Sequence, residues 1–185
     1  MAVTTQKYQI KIGLQEAKPP IWRRIFVPSN MNLSELHEVI QVTMGWENYH
    51  LHQFFINGRC YGPITPDLDD MEWDDEQDVT LSSAFPKEKS KIVYEYDFGD
   101  GWVHNITLEK VLPLDKKDKL PTFIKGKRAC PPEDCGGIWG YANLLDILAD
   151  PKHEEYEDTL EWIGKNIDPE AFSVEAINER YQHML

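Results

Sequence analysis

The stretch Tyr94-Glu-Tyr-Asp-Phe-Gly-Asp-Gly-Trp-Val-His104 sets two alternating apolar runs on either side of a short Gly-rich segment. Alternation with a period of two is typical of strands that bury one face. In the segment between them, glycines allow positive φ angles and aspartates hydrogen-bond the amides of a turn. The pattern predicts an antiparallel hairpin with strands from Ile92 to Tyr96 and from Trp102 to Val111.

The same alternation predicts further strands upstream. Residues Tyr8–Leu14 form the first of these, and Ile21–Val27 form the second, which Pro28 ends. A third runs from His50 to Ile56 and turns at Asn57-Gly58, a dipeptide that strongly favours a two-residue hairpin. This hairpin should pair Phe55 with Cys60 and make Cys60 a buried apolar thiol on the opposite face from the histidines.

Helices are indicated between the hairpins and near the C-terminus. Asn32-Leu-Ser-Glu35 is a capping box, and the helix that it opens should end at Gly45. Three helical segments follow residue 137, and Ser173 is the expected cap of the last. We predict an α+β fold spanning residues 1–185 as one domain: an antiparallel sheet built from hairpins, one helix between them and three C-terminal helices. Strand order stays open, and a β-grasp-like arrangement is one option.

A second informative stretch is the loop Arg128-Ala-Cys-Pro-Pro-Glu-Asp-Cys-Gly-Gly137. Two prolines restrict φ and two glycines permit unusual φ values, so the backbone itself dictates the path of the loop. Such a loop holds thiols and carboxylates in a defined arrangement. We expect it to fold back over the histidine- and aromatic-bearing sheet and to form one shared pocket with it.

Composition narrows the classes of function. Asp and Glu outnumber Lys and Arg by 32 to 19, giving a net charge of −13, which disfavours nucleic-acid partners. The local basic run 116–128 and the acidic run 67–78 are both expected to be solvated loops. No signal peptide or membrane span is apparent, so we expect a cytoplasmic protein with reduced cysteines. Its partner would be a protein or a small molecule.

Two groups of residues are candidate metal ligands. His50 and His52 lie two apart on a predicted strand, which would put both imidazoles on one face. Cys130 and Cys135 can supply half of a zinc site, completed by these histidines or by His104. The alternatives are hydrogen-bonded core histidines, packed thiols, and a redox-sensitive cysteine pair. Core placement is favoured for His104, and one of Arg23 and Arg24 should pair with Glu133 or Asp134.

Five motifs in order resemble the plasmid pRiA4b ORF-3-like family, found on plasmids and mobile elements. They are Lys18-Pro-Pro-Ile-Trp-Arg-Arg24, Leu36-His-Glu-Val-Ile-Gln41, Gly45-Trp46 with His50-Leu-His52, Tyr96-Asp-Phe-Gly-Asp-Gly-Trp102, and the Arg128–Gly137 loop. The resemblance implies no established activity, although some members are labelled resolvases. A serine recombinase needs an early nucleophilic Ser and a basic DNA-binding tail. This chain has neither, because its first Ser is Ser29 and its C-terminal region is acidic.

We therefore expect a non-catalytic accessory or interaction module of unknown biochemical function. Its candidate ligand or partner surface combines the Asp97–Trp102 turn with the loop, and comprises Arg24, Asp97, Asp100, Trp102, Arg128, Glu133 and Asp134. The alternative is a zinc-dependent enzyme, hydrolase-like, in which His50, His52, Cys130 and Cys135 hold the metal. Glu133 or Asp134 would then act as general base.

Overall fold

A computed structural model describes residues 5–68, 70–164 and 167–184, and one mixed sheet organises them. Its eight strands are β1 (Lys7–Leu14), β2 (Trp22–Pro28), β3 (His52–Ile56), β4 (Arg59–Gly62), β5 (Asp74–Asp75), β6 (Lys91–Tyr96), β7 (Trp102–Leu112) and β8 (Thr122–Lys127). They lie in the order β5-β4-β3-β6-β7-β1-β2-β8. Every neighbouring pair is antiparallel except β4–β5, which is parallel. The α+β class predicted from the sequence is confirmed.

Four of the described helices follow the predicted places, and a short helix at Leu81–Ala84 was not predicted. The helices are α1 (Leu33–Met44), the short α2 (Leu81–Ala84), α3 (Gly137–Ala149), α4 (Tyr156–Ile163) and α5 (Val174–Met184). The capping box is present in full, since Asn32 accepts from the Glu35 amide and Glu35 accepts from the Asn32 amide. Gly45 ends α1 with a φ of 94°. The Ala176 amide donates to the Ser173 hydroxyl, which caps α5. Among these helices, none is long and apolar enough to cross a membrane.

One face of the sheet is buried and the other is polar, as the alternation requires. Ile10 and Ile12 of β1 are fully buried, as are Leu36 and Ile40 of α1, and all four belong to one hydrophobic core. The opposite face carries charged side chains that are partly exposed. This one-sided burial is typical of antiparallel sheets. The Asn57-Gly58 hairpin also forms as predicted, and Phe55 pairs with Cys60, whose thiol is half-buried.

Two segments predicted to be solvated loops contain paired strands instead. Within the basic run, Thr122–Lys127 forms β8 and pairs with β2. Within the acidic run, Asp74–Asp75 pairs with β4, and the 3-10 turn after it buries Glu76. Both segments are rich in exposed charged side chains, a composition typical of solvated loops. The composition therefore did not indicate that the backbone pairs as strands. Asp69 of the acidic run lies outside the described residues.

Candidate functional site

The Asp97–Trp102 turn is built around the side chain of Asp97. Asp97 adopts a φ of 57°, and its Oδ1 accepts from the Gly99 amide at 3.0 Å and from the Asp100 amide at 3.3 Å. Its own amide donates to the Leu51 carbonyl at 2.9 Å. Hydrogen bonds within the turn, and one to the segment that leads into β3, therefore hold the turn in place. The aspartate bonds follow the sequence-based prediction for this turn.

Polar contacts fasten the Arg128–Gly137 loop to the segment after α1 and to β6. The indole of Trp46 donates to the Pro131 carbonyl at 3.0 Å. Glu133 accepts from the Tyr96 hydroxyl, and its Oε2 accepts from the Glu47 amide at 2.9 Å. The Trp46 and Tyr96 rings stack with centroids 5.0 Å apart. These contacts hold the loop over the end of the sheet.

The far end of the loop contacts the turn directly. The Gly136 amide donates to Asp100 Oδ2 at 3.1 Å. Gly137 has a φ of 69°, and a Cβ there would lie only 2.2 Å from the Asp100 carbonyl oxygen. Only glycine allows this approach. We call the surface formed by the turn, the loop and the adjacent Tyr49–His50 segment the turn–loop surface.

A histidine and two aspartates converge on this surface. His50 Nε2 lies 3.1 Å from Asp134 Oδ1 and 3.6 Å from Asp97 Oδ2. His50 precedes β3, so it does not share a strand face with His52 as the sequence analysis expected. Among the described residues this is the one group of three or more candidate metal ligands, and it does not include His52, Cys130 or Cys135.

The cysteines of the loop are free thiols packed against the core. Burial is the main cause that raises the pKa of the Cys130 thiol, and it raises the pKa of Cys135 to about 12. A thiol with so high a pKa is protonated at neutral pH and is a poor nucleophile. Of the alternatives for this pair, the geometry matches packed thiols.

His52 belongs to a buried pair instead. Its Nε2 lies 2.8 Å from Glu76 Oε2, and the two side chains are 7% and 3% exposed. Its ring stacks on that of His37, with centroids 3.4 Å apart and planes 5° from parallel. Glu76 was expected to be solvated, and no pattern in the sequence marks it as the partner of His52.

His37 is held in a hydrogen-bonded chain. Gln41 donates to the Tyr94 hydroxyl at 3.0 Å, and that hydroxyl lies 2.8 Å from His37 Nδ1. His37 Nε2 lies 2.8 Å from the Asn48 side-chain oxygen, which fixes Nδ1 as the acceptor. Burial, and next the neighbouring His52, lower the pKa of His37 to about 3. The chain is therefore built around a neutral imidazole.

His104 is the third buried histidine. It lies on the buried face of β7 and has no hydrogen-bond partner for either ring nitrogen among the described residues. Burial lowers its pKa to about 4. Its placement in the core follows the sequence-based prediction, and it does not contribute to the turn–loop surface.

The two neighbouring arginines have partners other than Glu133 and Asp134. Buried Arg23 donates to the backbone carbonyls of Trp22 at 2.9 Å and Lys127 at 3.0 Å. Arg24 makes two bonds of 2.6 and 2.8 Å to Glu109 on the polar face of the sheet. The expected pairing with the loop is therefore wrong. Carbonyl oxygens satisfy the buried guanidinium, and strand alternation turns Arg24 to the opposite face.

Two other predicted surface residues point elsewhere. Trp102 is 1% exposed and packs in the core near Trp46. Arg128 is 7% exposed, and its Nε lies 2.8 Å from Glu170. Beside Arg128 is a cavity of about 300 Å³ that extends to Tyr141 and the start of α3. The turn–loop surface thus retains Asp97, Asp100, Glu133 and Asp134 from the predicted set.

Several residues of this surface were not predicted. Tyr96 and Trp46 fasten the loop, and the side chains of Tyr49 and Phe98 are exposed beside His50 and Asp97. The alternation of Tyr94 and Tyr96 along β6 was a signal that both rings face the core side. No signal marked Tyr49, because it lies in an irregular segment.

The architecture and the motifs along it agree with one family. A family model described as plasmid pRiA4b ORF-3-like protein matches residues 6–176, which include every element of the sheet and the loop. The chain belongs to this family.

Two relatives of this chain carry names that give no function. The uncharacterized protein y4hQ of Sinorhizobium fredii is 40% identical over 163 residues, covering 85% of this chain and 81% of the relative. The crystal structure of the protein of unknown function MM3350 from Methanosarcina mazei Go1 is similar with a TM-score of 0.84 and 39% identity. That match covers 94% of this chain and 98% of the other. No catalytic function is indicated by these relatives.

Proposed function

We propose that this protein is a non-catalytic interaction module and that a basic segment of a partner protein binds its turn–loop surface. The observation that carries the proposal is a set of exposed aromatic side chains on the segments that form or adjoin this surface. Tyr49 is 76% exposed, Trp139 79% and Trp162 54%, and Phe98 is partly exposed. Exposed Tyr and Trp side chains are enriched at protein interfaces and supply much of their binding energy.

The four aromatic residues lie on segments that form or adjoin the turn–loop surface. Tyr49 precedes His50, and Phe98 follows Asp97. Trp139 lies in the first turn of α3, where it lines the cavity beside Arg128. Trp162 of α4 lines a shallow groove together with Asp134 and Cys135. The aromatic groups therefore lie on the same stretches of chain as the carboxylates, and Trp162 shares a groove with Asp134.

Charge favours a basic partner. The net charge of −13 repels polyanions and attracts cationic segments, and the exposed Asp134 carboxylate adds local negative charge. Lys and Arg side chains also bind well over aromatic faces. A protein segment rich in Lys or Arg fits this surface better than nucleic acid does. We also propose that the protein acts in the cytoplasm.

A peptide selection tests the proposal. A random peptide library displayed on phage is selected against the protein, and the affinities of the selected peptides are measured by fluorescence anisotropy. We expect the selected peptides to be enriched in Lys and Arg. Tyr49→Ala and Trp162→Ala should each weaken binding by about 30-fold, since an interface hot spot is worth about 2 kcal/mol or more.

The control removes an exposed apolar side chain from the opposite end of the sheet. Leu114 is 41% exposed and lies just beyond the far end of β7, so Leu114→Ala should leave peptide affinity unchanged. A library that yields no binder, or binders equally tight to all three variants, would contradict the proposed surface.

A further inference from the structure

The convergence of His50, Asp97 and Asp134 has the dimensions of a metal site. Their three ligand atoms all lie within 4.8 Å of one another. Zinc binds imidazole nitrogen and carboxylate oxygen at about 2.0–2.2 Å, so two ligands of a tetrahedral site are about 3.3–3.6 Å apart. The distances from His50 Nε2 to the two aspartate oxygens, 3.1 and 3.6 Å, are close to this spacing. A single ion between the three atoms would contact all of them.

A second observation points to a ligand at this position. His50 Nε2 is enclosed, and the structure gives it no hydrogen-bond partner within the described ranges. The contact with Asp134 is short, but its geometry is not that of a hydrogen bond. An enclosed polar atom without a partner calls for an explanation, and a bound ion supplies one.

The orientation of Asp97 is also suited to binding. This residue is 7% exposed, and Oδ1 is occupied by the amides of its own turn. These bonds fix the carboxylate so that Oδ2 faces His50. A ligand oriented by hydrogen bonds to its other atom is typical of metal sites.

We propose that His50, Asp97 and Asp134 bind one divalent transition-metal ion of the zinc class. One imidazole with two carboxylates favours zinc over calcium or magnesium, which prefer oxygen ligands alone. Asp134 is 66% exposed, so the remaining coordination positions face solvent. The ion joins the turn to the loop and thereby stabilises the turn–loop surface. This site goes beyond the proposed peptide binding and exists independently of it.

Calorimetric titration of the metal-free protein with zinc tests the site. The protein is first treated with a chelator, and binding of one ion per chain is expected. His50→Ala and Asp134→Asn should each weaken zinc binding by at least about tenfold. Asp97→Asn should do the same, and asparagine tolerates the positive φ of that position.

The matched control removes one imidazole and one carboxylate elsewhere. His183 of α5 and Asp146 of α3 are both exposed, and the double variant His183→Ala, Asp146→Asn should bind zinc as tightly as the parent chain. Circular dichroism of each variant establishes that it is folded. Unchanged zinc affinity in the folded His50→Ala and Asp134→Asn variants would overturn the proposal.

X-ray absorption of the zinc-loaded protein distinguishes this site from the cysteine site considered from the sequence. Only nitrogen and oxygen neighbours at about 2.0–2.2 Å are expected. Sulfur neighbours at about 2.3 Å, lost on Cys130→Ser, would place the ion on the thiols and refute the site. Peptide affinity measured with chelator and with zinc separates this result from the proposed interaction, since either can fail alone.

Discussion

Two histidines, separated by a single residue, meet carboxylates in opposite environments. His52 and Glu76 are both almost fully buried, and the His52 ring is covered by that of His37. His50 is 28% exposed and meets Asp134, which is 66% exposed, together with the buried Asp97. We call the first group, with His37 and Tyr94, the buried network. The second is the centre of the turn–loop surface.

Both groups combine histidine with carboxylates, so the residue types alone do not make a binding site. In the buried network, every described contact of the imidazoles and of Glu76 is with another side chain, so the network specifies how α1 packs on the sheet. Around His50, a ring nitrogen without a hydrogen-bond partner in the ranges that the structure describes and an exposed carboxylate leave room for a ligand. The buried pair should therefore affect stability, and the surface group should affect binding.

The largest expected effect is a loss of stability in acid that comes from the core. Burial lowers the pKa of His37 to about 3 and that of His104 to about 4, whereas both titrate near 6.5 when unfolded. As the pH falls, these histidines are therefore protonated in the unfolded chain before they are protonated in the folded one. The stability that is present above pH 6.5 is lost progressively as the pH falls toward 4. At pH 5 the loss is about 2 kcal/mol for each histidine, or about 4 kcal/mol together.

Urea unfolding at pH 7 and pH 5 measures this loss, and one variant isolates the share of His104. His104→Leu removes an imidazole that has no hydrogen-bond partner in the described part of the chain, so it should reduce the difference between the two pH values by about 2 kcal/mol. An unchanged difference in His104→Leu would show that the acid sensitivity originates elsewhere.

Breaking the buried pair should give the next largest effect. Glu76→Ala leaves His52 buried without its partner and is expected to lower the free energy of unfolding by about 3 kcal/mol. Glu72→Ala is the matched control, because Glu72 lies in the same acidic segment but is exposed. It should change stability by less than about 0.5 kcal/mol. Equal effects in the two variants would show that the buried network is not what stabilises this region.

Removing a loop contact should cost less stability than breaking the buried network and more than breaking a surface ion pair. Glu133→Ala removes the acceptor of the Tyr96 hydroxyl and the Glu47 amide and should cost about 1–2 kcal/mol. Hydrogen exchange of the loop amides should become faster in this variant. Asp134→Asn, at the exposed neighbouring position, keeps a residue that tolerates the φ of 57° there. In the metal-free protein it should leave both stability and exchange nearly unchanged, while it weakens zinc binding. Faster exchange in Asp134→Asn alone would reverse the roles assigned to the two acids.

The smallest effect is expected on the polar face of the sheet. Arg24 and Glu109 form a partly exposed pair, which raises the pKa of Arg24 and lowers that of Glu109. Arg24→Ala should cost less than about 1 kcal/mol in urea unfolding. It should leave peptide and zinc binding unchanged, because Arg24 points away from the turn–loop surface. Impaired binding in this variant would return Arg24 to the functional surface.

Much of the framework was predictable because its signals are local. Period-two alternation located β1, β2, β6 and β7, and Asn32, Gly45 and Ser173 marked helix ends through contacts with residues a few positions away. Strand β8 was missed because its lysines suggested a solvated loop. Its backbone bonds to β2 depend on a neighbour distant in sequence.

The candidate site was predictable only in part. Asp97 and the Arg128–Gly137 loop were marked by their glycines and prolines. Three residues were assigned to contacts that they do not make. In the structure Arg23 donates to the Lys127 carbonyl, Trp102 packs near Trp46, and His52 pairs with Glu76. Such partners are chosen by packing over long separations in the chain, which leaves no trace in local spacing.

The amino-acid order by itself determined the hairpins, the capped helices, the acidic character and the family, because each depends on the identity of nearby residues or on composition. Only the tertiary structure decided that His50 meets Asp97 and Asp134 while His52 is buried with Glu76. The physical reason is that β3 begins at His52, so His50 does not follow the alternation of the strand. The two side chains therefore point in different directions and lie in surroundings of very different polarity.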